Sequence, residues 1–476
     1  MTGEMAGLFG KFAANDPLAN PERCRGMTSR ASMAVPWSEP QKLYELYLGD
    51  ILLGEVETQW ISSVIIAPFV LSGLAGKSEG VRLPAIRELT LPGKGMDLKF
   101  KLDRVARVPA IAAFLLLALA SSACREKKPQ ESFSRSKAVE IIGNARKILT
   151  PNGIERLEKV QIGGIEQWVS IRGRDRRNPV LLVIHGGPGY VLMPMSWWSS
   201  RDWEEYFTVV QWDQRGSGKT YLLNDPQKVG PTMTLARTVA DAEEMTTWLR
   251  QQLGKKKIFL LAHSAGTYVG LQMAERHPDW LYAYIGVGEM ADMPESERRG
   301  WRFAMDAARR TRNAQATREL EAIAPYFAAG HPNPLGDVFK QRKWVGIFGG
   351  TMAFRDGSKA DTDLGELSPD YTDAEIPHLW DGNKFTERYI LADLLNHDWS
   401  VPELDCPVIF FAGRHDYVAN SQVLAEWFER LKAPSKQLVW FENSGHMPMT
   451  EEPGKFLISL VRFARPFAER TGDAAP

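Results

Sequence analysis

The chain has 476 residues, enough for one large domain or two smaller ones with a real core. Lysine plus arginine and aspartate plus glutamate both number 58, so no charge excess points to nucleic acid or to an acidic partner. The three cysteines, Cys24, Cys124 and Cys406, lie far apart and lack metal-ligand spacing, which argues against a disulfide framework and against a zinc site.

Residues 1–95 mix proline, glycine and charge without a core pattern, and the apolar run from Trp60 to Ala75 has neither clear periodicity nor caps. Met96 then opens a different grammar. Lys99, Lys101, Arg104 and Arg107 form a basic start, Val108 to Ala120 an apolar run, and Ser121-Ser122-Ala123-Cys124 a small-residue end. This is the layout of an export signal, too short for an ordinary membrane span. Small residues before Cys124 are similar to a bacterial lipoprotein signal, in which the cysteine is lipidated and the protein becomes periplasmic or membrane-anchored; Ser121 departs from the aliphatic residue usual there. A signal belongs at a start, so the pattern favours Met96 as the true beginning and 1–95 as an artefact of an upstream start codon. The alternative is an internal anchor over 105–123. Polar residues from Arg125 to Ser132 read as a tether.

Beyond a helix over 135–149, the strands Leu157–Ile162 and Ile165–Ile171 flank Gly163-Gly164, a two-residue hairpin turn. Apolar strands at 180–184, 207–212, 258–261 and 281–287 then alternate with helices at 234–253 and 265–276. The first of these helices carries Leu235, Val239, Ala242, Met245, Leu249 and Leu253 on one face. Fully apolar strands between amphipathic helices predict an α/β class, with a mostly parallel sheet covered on both faces. The alternation stops over 289–400, where Trp301, Ala304, Met305 and Ala308 keep helical spacing and 384–396 is a second helix. We read this as a helical cap, with Trp301, Trp344, Trp380 and Trp399 either lining a pocket or packing its core. Strands at 407–412 and 437–441 and helices at 421–431 and 453–464 restore the pattern, and the last few residues are expected to fray. The core is thus 151–288 and 401–470, after a tether and leading helix at 125–150.

Chemistry concentrates where strands end. Phe259-Leu-Leu-Ala-His-Ser-Ala-Gly266 is a strand that breaks into a serine among small residues and then a helix. Such a turn exposes a hydroxyl that needs a base to become nucleophilic; the ordinary alternative is a serine capping the next helix. Gly413-Arg-His-Asp416 and Asn443-Ser-Gly-His446 follow later strands, so Ser264, Asp416 and His446 come as nucleophile, orienting acid and base. His263 and His415 receive no role. His185-Gly-Gly-Pro-Gly189 follows a strand with backbone free to approach an oxyanion, to be shared with the N–H of Ala265. Asp213 and Arg215, in Asp-Gln-Arg-Gly-Ser-Gly218, read better as a buried ion pair bracing their loop than as substrate contacts.

Together these segments resemble α/β-hydrolase fold serine peptidases of the proline iminopeptidase (prolyl aminopeptidase) type, over about residues 155–466. The resemblance implies a triad of Ser264, Asp416 and His446 and oxyanion donors at Gly187 and Ala265. Ala262 stands where the family has glycine, and Ala265 where it often has a tryptophan that shapes the proline pocket. The family also holds the substrate's free amine with acidic cap residues, a substrate-binding role that Glu289 could fill; a hinge or surface glutamate is the alternative.

The expected activity is a serine hydrolase acting through an acyl-enzyme on a small amide or peptide N-terminus. An esterase or lactonase using the same triad is the alternative, and a non-catalytic binding protein a third reading that an intact triad disfavours. Its partners are a small molecule or short peptide, no nucleic acid, and a membrane through lipidated Cys124. No metal and no organic cofactor are expected, because the triad needs neither.

Overall fold

The computed structural model describes residues 88–91, 98–101, 134–357, 360–399 and 401–476. The segment read as an export signal and the tether after it lie almost wholly outside them. Among the described residues no helix is long and apolar enough to cross a membrane. In the first region β1 (Glu88–Leu91) pairs antiparallel with β2 (Leu98–Lys101).

The rest begins with α1 (Arg135–Arg146), capped by Ser134, whose hydroxyl accepts Lys137 N–H at 3.2 Å. β3 (Ile154–Ile162) and β4 (Ile165–Gly173) follow as the expected hairpin, with Ile162 opposite Ile165. Gly163 and Gly164 both take positive φ, 59° and 78°, as a two-residue turn between twisted strands requires. β4 pairs antiparallel with β6 (Thr208–Asp213), and from there the sheet is parallel. Its eight strands run β10-β9-β8-β7-β5-β6-β4-β3, with β5 (Val180–Ile184), β7 (Ile258–His263), β8 (Leu281–Val287), β9 (Val408–Gly413) and β10 (Lys436–Phe441).

Burial on both faces explains why β5, β7, β8 and β9 read as continuous apolar runs. Val180, Leu182, Ile184, Leu260 and Ala262 join one hydrophobic cluster, which includes Val239, Ala242, Met245 and Leu249 of the helix Leu235–Gln252. Their neighbours Leu181, Val183, Phe259 and Leu261 join the other, with Phe456 and Leu460. Between β6 and β8 lie α2 (Gly218–Leu223), α3 (Leu235–Gln252) and α4 (Thr267–Arg276). The cap contributes α5 (Met293–Arg310), α6 (Ala314–Glu321), α7 (Leu335–Ile347) and α8 (Asp381–Leu395), and α9 (Ser421–Arg430) and α10 (Pro453–Ser459) close the core.

The closing helix runs through to Ala464 as expected, as α10 to Ser459 and as a π-helical turn from Leu460 to Ala464. One expectation needs correction. The C-terminus does not fray. Asp473 accepts from Tyr282 at 3.0 Å and pairs with Lys255, while Ala475 N–H donates to Asn178 at 3.2 Å. Three polar side chains supplied by the core, those of Tyr282, Lys255 and Asn178, therefore hold a tail that composition alone makes look loose.

Candidate active site

β7 ends at His263, and Ser264 turns the chain at φ 54° before a 3₁₀ turn over Ser264–Gly266 leads into α4. Positive φ is unfavourable for a residue with a Cβ, so the surroundings must enforce it. Thr267 Oγ1 does so in part, donating to Ser264 O at 2.6 Å. Glycine neighbours do the rest. A Cβ on Gly266 would lie 2.5 Å from His185 O, and one on Gly186 would lie 2.6 Å from His263 O and 2.7 Å from Ser264 Cβ. The loop after β5 and the serine turn after β7 thus touch backbone to backbone, which only glycine permits. This contact brings the Gly187 segment alongside Ala265, the pair expected to supply oxyanion donors.

The loops after β9 and β10 bring Asp416 and His446 together. His446 Nδ1 donates to Asp416 Oδ2 at 2.7 Å, and both side chains are buried. Asp416 Oδ1 accepts from Val418 N at 2.8 Å and Ala419 N at 3.0 Å, so both carboxylate oxygens are committed. An acid fixed at Nδ1 sets the histidine tautomer and leaves Nε2 as a lone-pair acceptor.

His185 braces the loop after β5. Its Nε2 accepts Gln214 N–H at 3.3 Å, while Gln214 Nε2 donates to His185 O at 3.0 Å. Burial pushes this imidazole down to about 4, so it stays neutral. Among the described residues no group of three or more His, Cys, Asp or Glu is arranged to hold a metal ion.

The profile of the alpha/beta hydrolase fold family matches residues 179–453, which span every strand end named above. The chain belongs to the α/β-hydrolase family. A Bacillus subtilis protein named "Probable aminopeptidase YbaC" is 28% identical over 314 residues, covering 65% of this chain and 96% of that protein. The proline iminopeptidase of Heyndrickxia coagulans is 25% identical over 296 residues, covering 60% and 89%. The solved proline iminopeptidase of Mycobacterium smegmatis superposes with a TM-score of 0.47 at 19% identity, over 66% of this chain and 100% of that one. Family and relatives together make this protein a hydrolase of the α/β fold that resembles prolyl aminopeptidases.

In this hydrolase other sequence expectations land elsewhere. Arg215 is buried and ion-paired, but its partner is Asp241 of α3, at 2.7 and 3.1 Å, rather than Asp213. Asp213 accepts instead from Lys219 N at 2.8 Å and from the Tyr371 hydroxyl of the cap. Glu289 follows β8 and is 1% exposed. One of its oxygens accepts from Tyr284 Oη at 2.5 Å, and the other has no hydrogen-bond partner among the described residues. Burial raises its pKa to about 8. A neutral, enclosed acid offers no charge to a substrate amine. Trp344 and Trp399 are core residues, Trp301 donates to Leu320 O at 3.0 Å, and Trp380 stacks on Tyr190 at 4.4 Å.

Sequence reasoning missed Glu451. Its Oε1 accepts from Ala353 N of the cap at 2.6 Å and its Oε2 from Gly445 N at 2.8 Å. The same cap stretch accepts Tyr417 N–H at Gly350 O (2.9 Å) and His446 N–H at Thr351 O (2.6 Å). An acid five residues past His446 carries no local signal; only the fold brings it under the cap.

Proposed function

We propose that this chain is a serine hydrolase that works through an acyl-enzyme, with Ser264 as nucleophile, His446 as base and Asp416 as orienting acid. The observation that carries the reading is the Asp416–His446 hydrogen bond, in a site whose serine sits on a positive-φ turn at a strand end. Ser264 Oγ attacks the substrate carbonyl carbon while its proton passes to His446 Nε2. The carbonyl π pair moves onto oxygen, where the N–H groups of Gly187 and Ala265 receive it. Collapse expels the leaving group, which takes the proton from His446. Water then repeats the sequence on the acyl-serine, with His446 again accepting the proton, and releases the acid.

The substrate class we infer is a small amide or a peptide N-terminus, as the names of the two curated relatives suggest. One observation favours the ester or lactone alternative. Glu289, the acid offered for holding a free amine, is enclosed and held by Tyr284 rather than open to a ligand.

Ser264→Ala is expected to lower turnover by about 10⁴-fold or more and to abolish covalent labelling by a fluorophosphonate. Labelling that persists in this variant defeats the nucleophile assignment. A panel of aminoacyl arylamides against p-nitrophenyl esters separates the substrate classes. Ester turnover without arylamide cleavage overturns the aminopeptidase reading and leaves the mechanism intact.

A further inference from the structure

His446 is held through its backbone as well as through its ring. Its N–H donates to Thr351 O at 2.6 Å, and its carbonyl faces His263 Nε2 at 2.9 Å. A carbonyl can only accept, so His263 carries its proton on Nε2. The rest of the His263 ring is enclosed: its Nδ1 is buried without a hydrogen-bond partner among the described residues, and its centroid lies 4.8 Å from that of His446. His263 is also the last residue of β7, bonded directly to Ser264. One side chain therefore spans from the residue beside the serine to the peptide of the histidine.

We propose that His263 is a positioning residue, whose Nε2–H bond to the His446 carbonyl sets how the histidine loop seats against the serine turn. This role rests on the reading of Ser264 and His446 as nucleophile and base. Asp416 fixes the rotation of the His446 ring; His263 fixes the placement of its main chain. The strut also keeps its charge state. Burial, with the neighbouring His446 and His185, pushes His263 down to about 3, so it is a neutral donor at any pH near neutrality. A neutral neighbour lets His446 take a proton without a second cation against it. Removing the donor leaves a buried carbonyl unpaired and frees the loop, and small misplacements of a reacting group are costly.

The test compares His263→Phe, which fills the space without a donor, with His263→Gln, whose amide reaches as Nε2 does, and His263→Asn, whose amide stops short. Turnover is read on whichever substrate of the arylamide and ester panel is cleaved, together with the rate of fluorophosphonate labelling. His263→Phe is expected to lose about ten- to a hundredfold in kcat with KM nearly unchanged, and to label more slowly in parallel. His263→Gln is expected to recover most of the loss. A folded His263→Phe with wild-type kcat overturns the proposal, as does a Gln variant no better than Asn. If His263→Phe does not fold, the Gln and Asn pair decides by itself. His446→Ala is run alongside: if it stays active, the base assignment fails, whereas an inactive His446→Ala beside an unimpaired His263→Phe removes only the positioning role.

Discussion

The carboxyl edge of the sheet and the cap are held by different means. At the sheet edge, each group of the proposed mechanism leaves the end of a strand: the glycines after β5, Ser264 after β7, Asp416 after β9, His446 after β10. Strands β5, β7 and β9, buried throughout, fix three of the starting points and the partly exposed edge strand β10 the fourth, and short glycine-bearing turns do the aiming. The cap has no strand of the main sheet. Side chains seat it at separate places: Tyr371 on Asp213, Lys219 on Glu375 at 2.6 Å, Asn383 on Pro188 O at 2.7 Å, Thr386 on Gly216 O at 3.0 Å, and Glu451 under Ala353. The strand ends start from rigid elements, while the cover, which shares the apolar cluster of the sheet, adds polar contacts that can be removed one at a time.

If that contrast holds, a change within the sheet edge should strike turnover hardest. Gly186→Ala places a methyl 2.6 Å from His263 O and 2.7 Å from Ser264 Cβ, atoms of the serine turn that cannot rotate away. The loop must shift, carrying the Gly187 amide away from the place where the proposed mechanism needs an oxyanion donor. Loss of one such donor costs about 10² to 10³ in kcat. We expect a fall of about a hundredfold with KM little altered, measured by steady-state kinetics beside a melting curve that shows the variant folded. Unchanged kcat would mean that this contact does not set the site.

A pin of the cap should cost less, and the split between kinetic constants says what the pin is for. In Glu451→Gln one carboxylate oxygen becomes an amide that faces a backbone N–H, so either Ala353 or Gly445 loses its acceptor. We expect kcat to fall by about tenfold, because Gly445 precedes His446. A rise in KM alone would confine the cap to substrate binding and break the idea that it also seats His446.

The same contrast governs what could be read from the sequence. Strand ends were legible because their residues are local: a serine between small residues, glycines after an apolar run, an aspartate and a histidine one helix and one strand apart. Periodicity found the hairpin, the α3 face and the helical character of the cap. Long-range polar contacts left no such trace. Nearness in the chain pairs Arg215 with Asp213, whereas its partner lies on α3 and Asp213 accepts from Tyr371. His263 receives no role from the sequence, and Glu451 gives no signal in it, because their partners are backbone groups of distant loops. Glu289 was placed by its position after a strand, which does not reveal which way a side chain turns.

Glu289 stands at the seam between the two regions, and its effect should appear in stability. Its pKa lies near 8 in the fold against an ordinary 4.5, because burial disfavours the charge. Between those values the unfolded chain has lost the proton and the folded chain keeps it. Stability therefore falls as pH rises through the window, by about 1.4 kcal/mol per pH unit from this group, and levels off above it. Below pH 4.5 both states are protonated and the group contributes no slope. Glu289→Gln is neutral throughout and retains an oxygen for the Tyr284 hydroxyl. Denaturant unfolding at pH 5 and pH 9 should show the variant close to wild type at the first and more stable at the second. Activity should hardly move. An equal difference at both pH values would mean that the acid is charged in the fold, and a loss of arylamide turnover with a raised KM would return it to the substrate side of the seam.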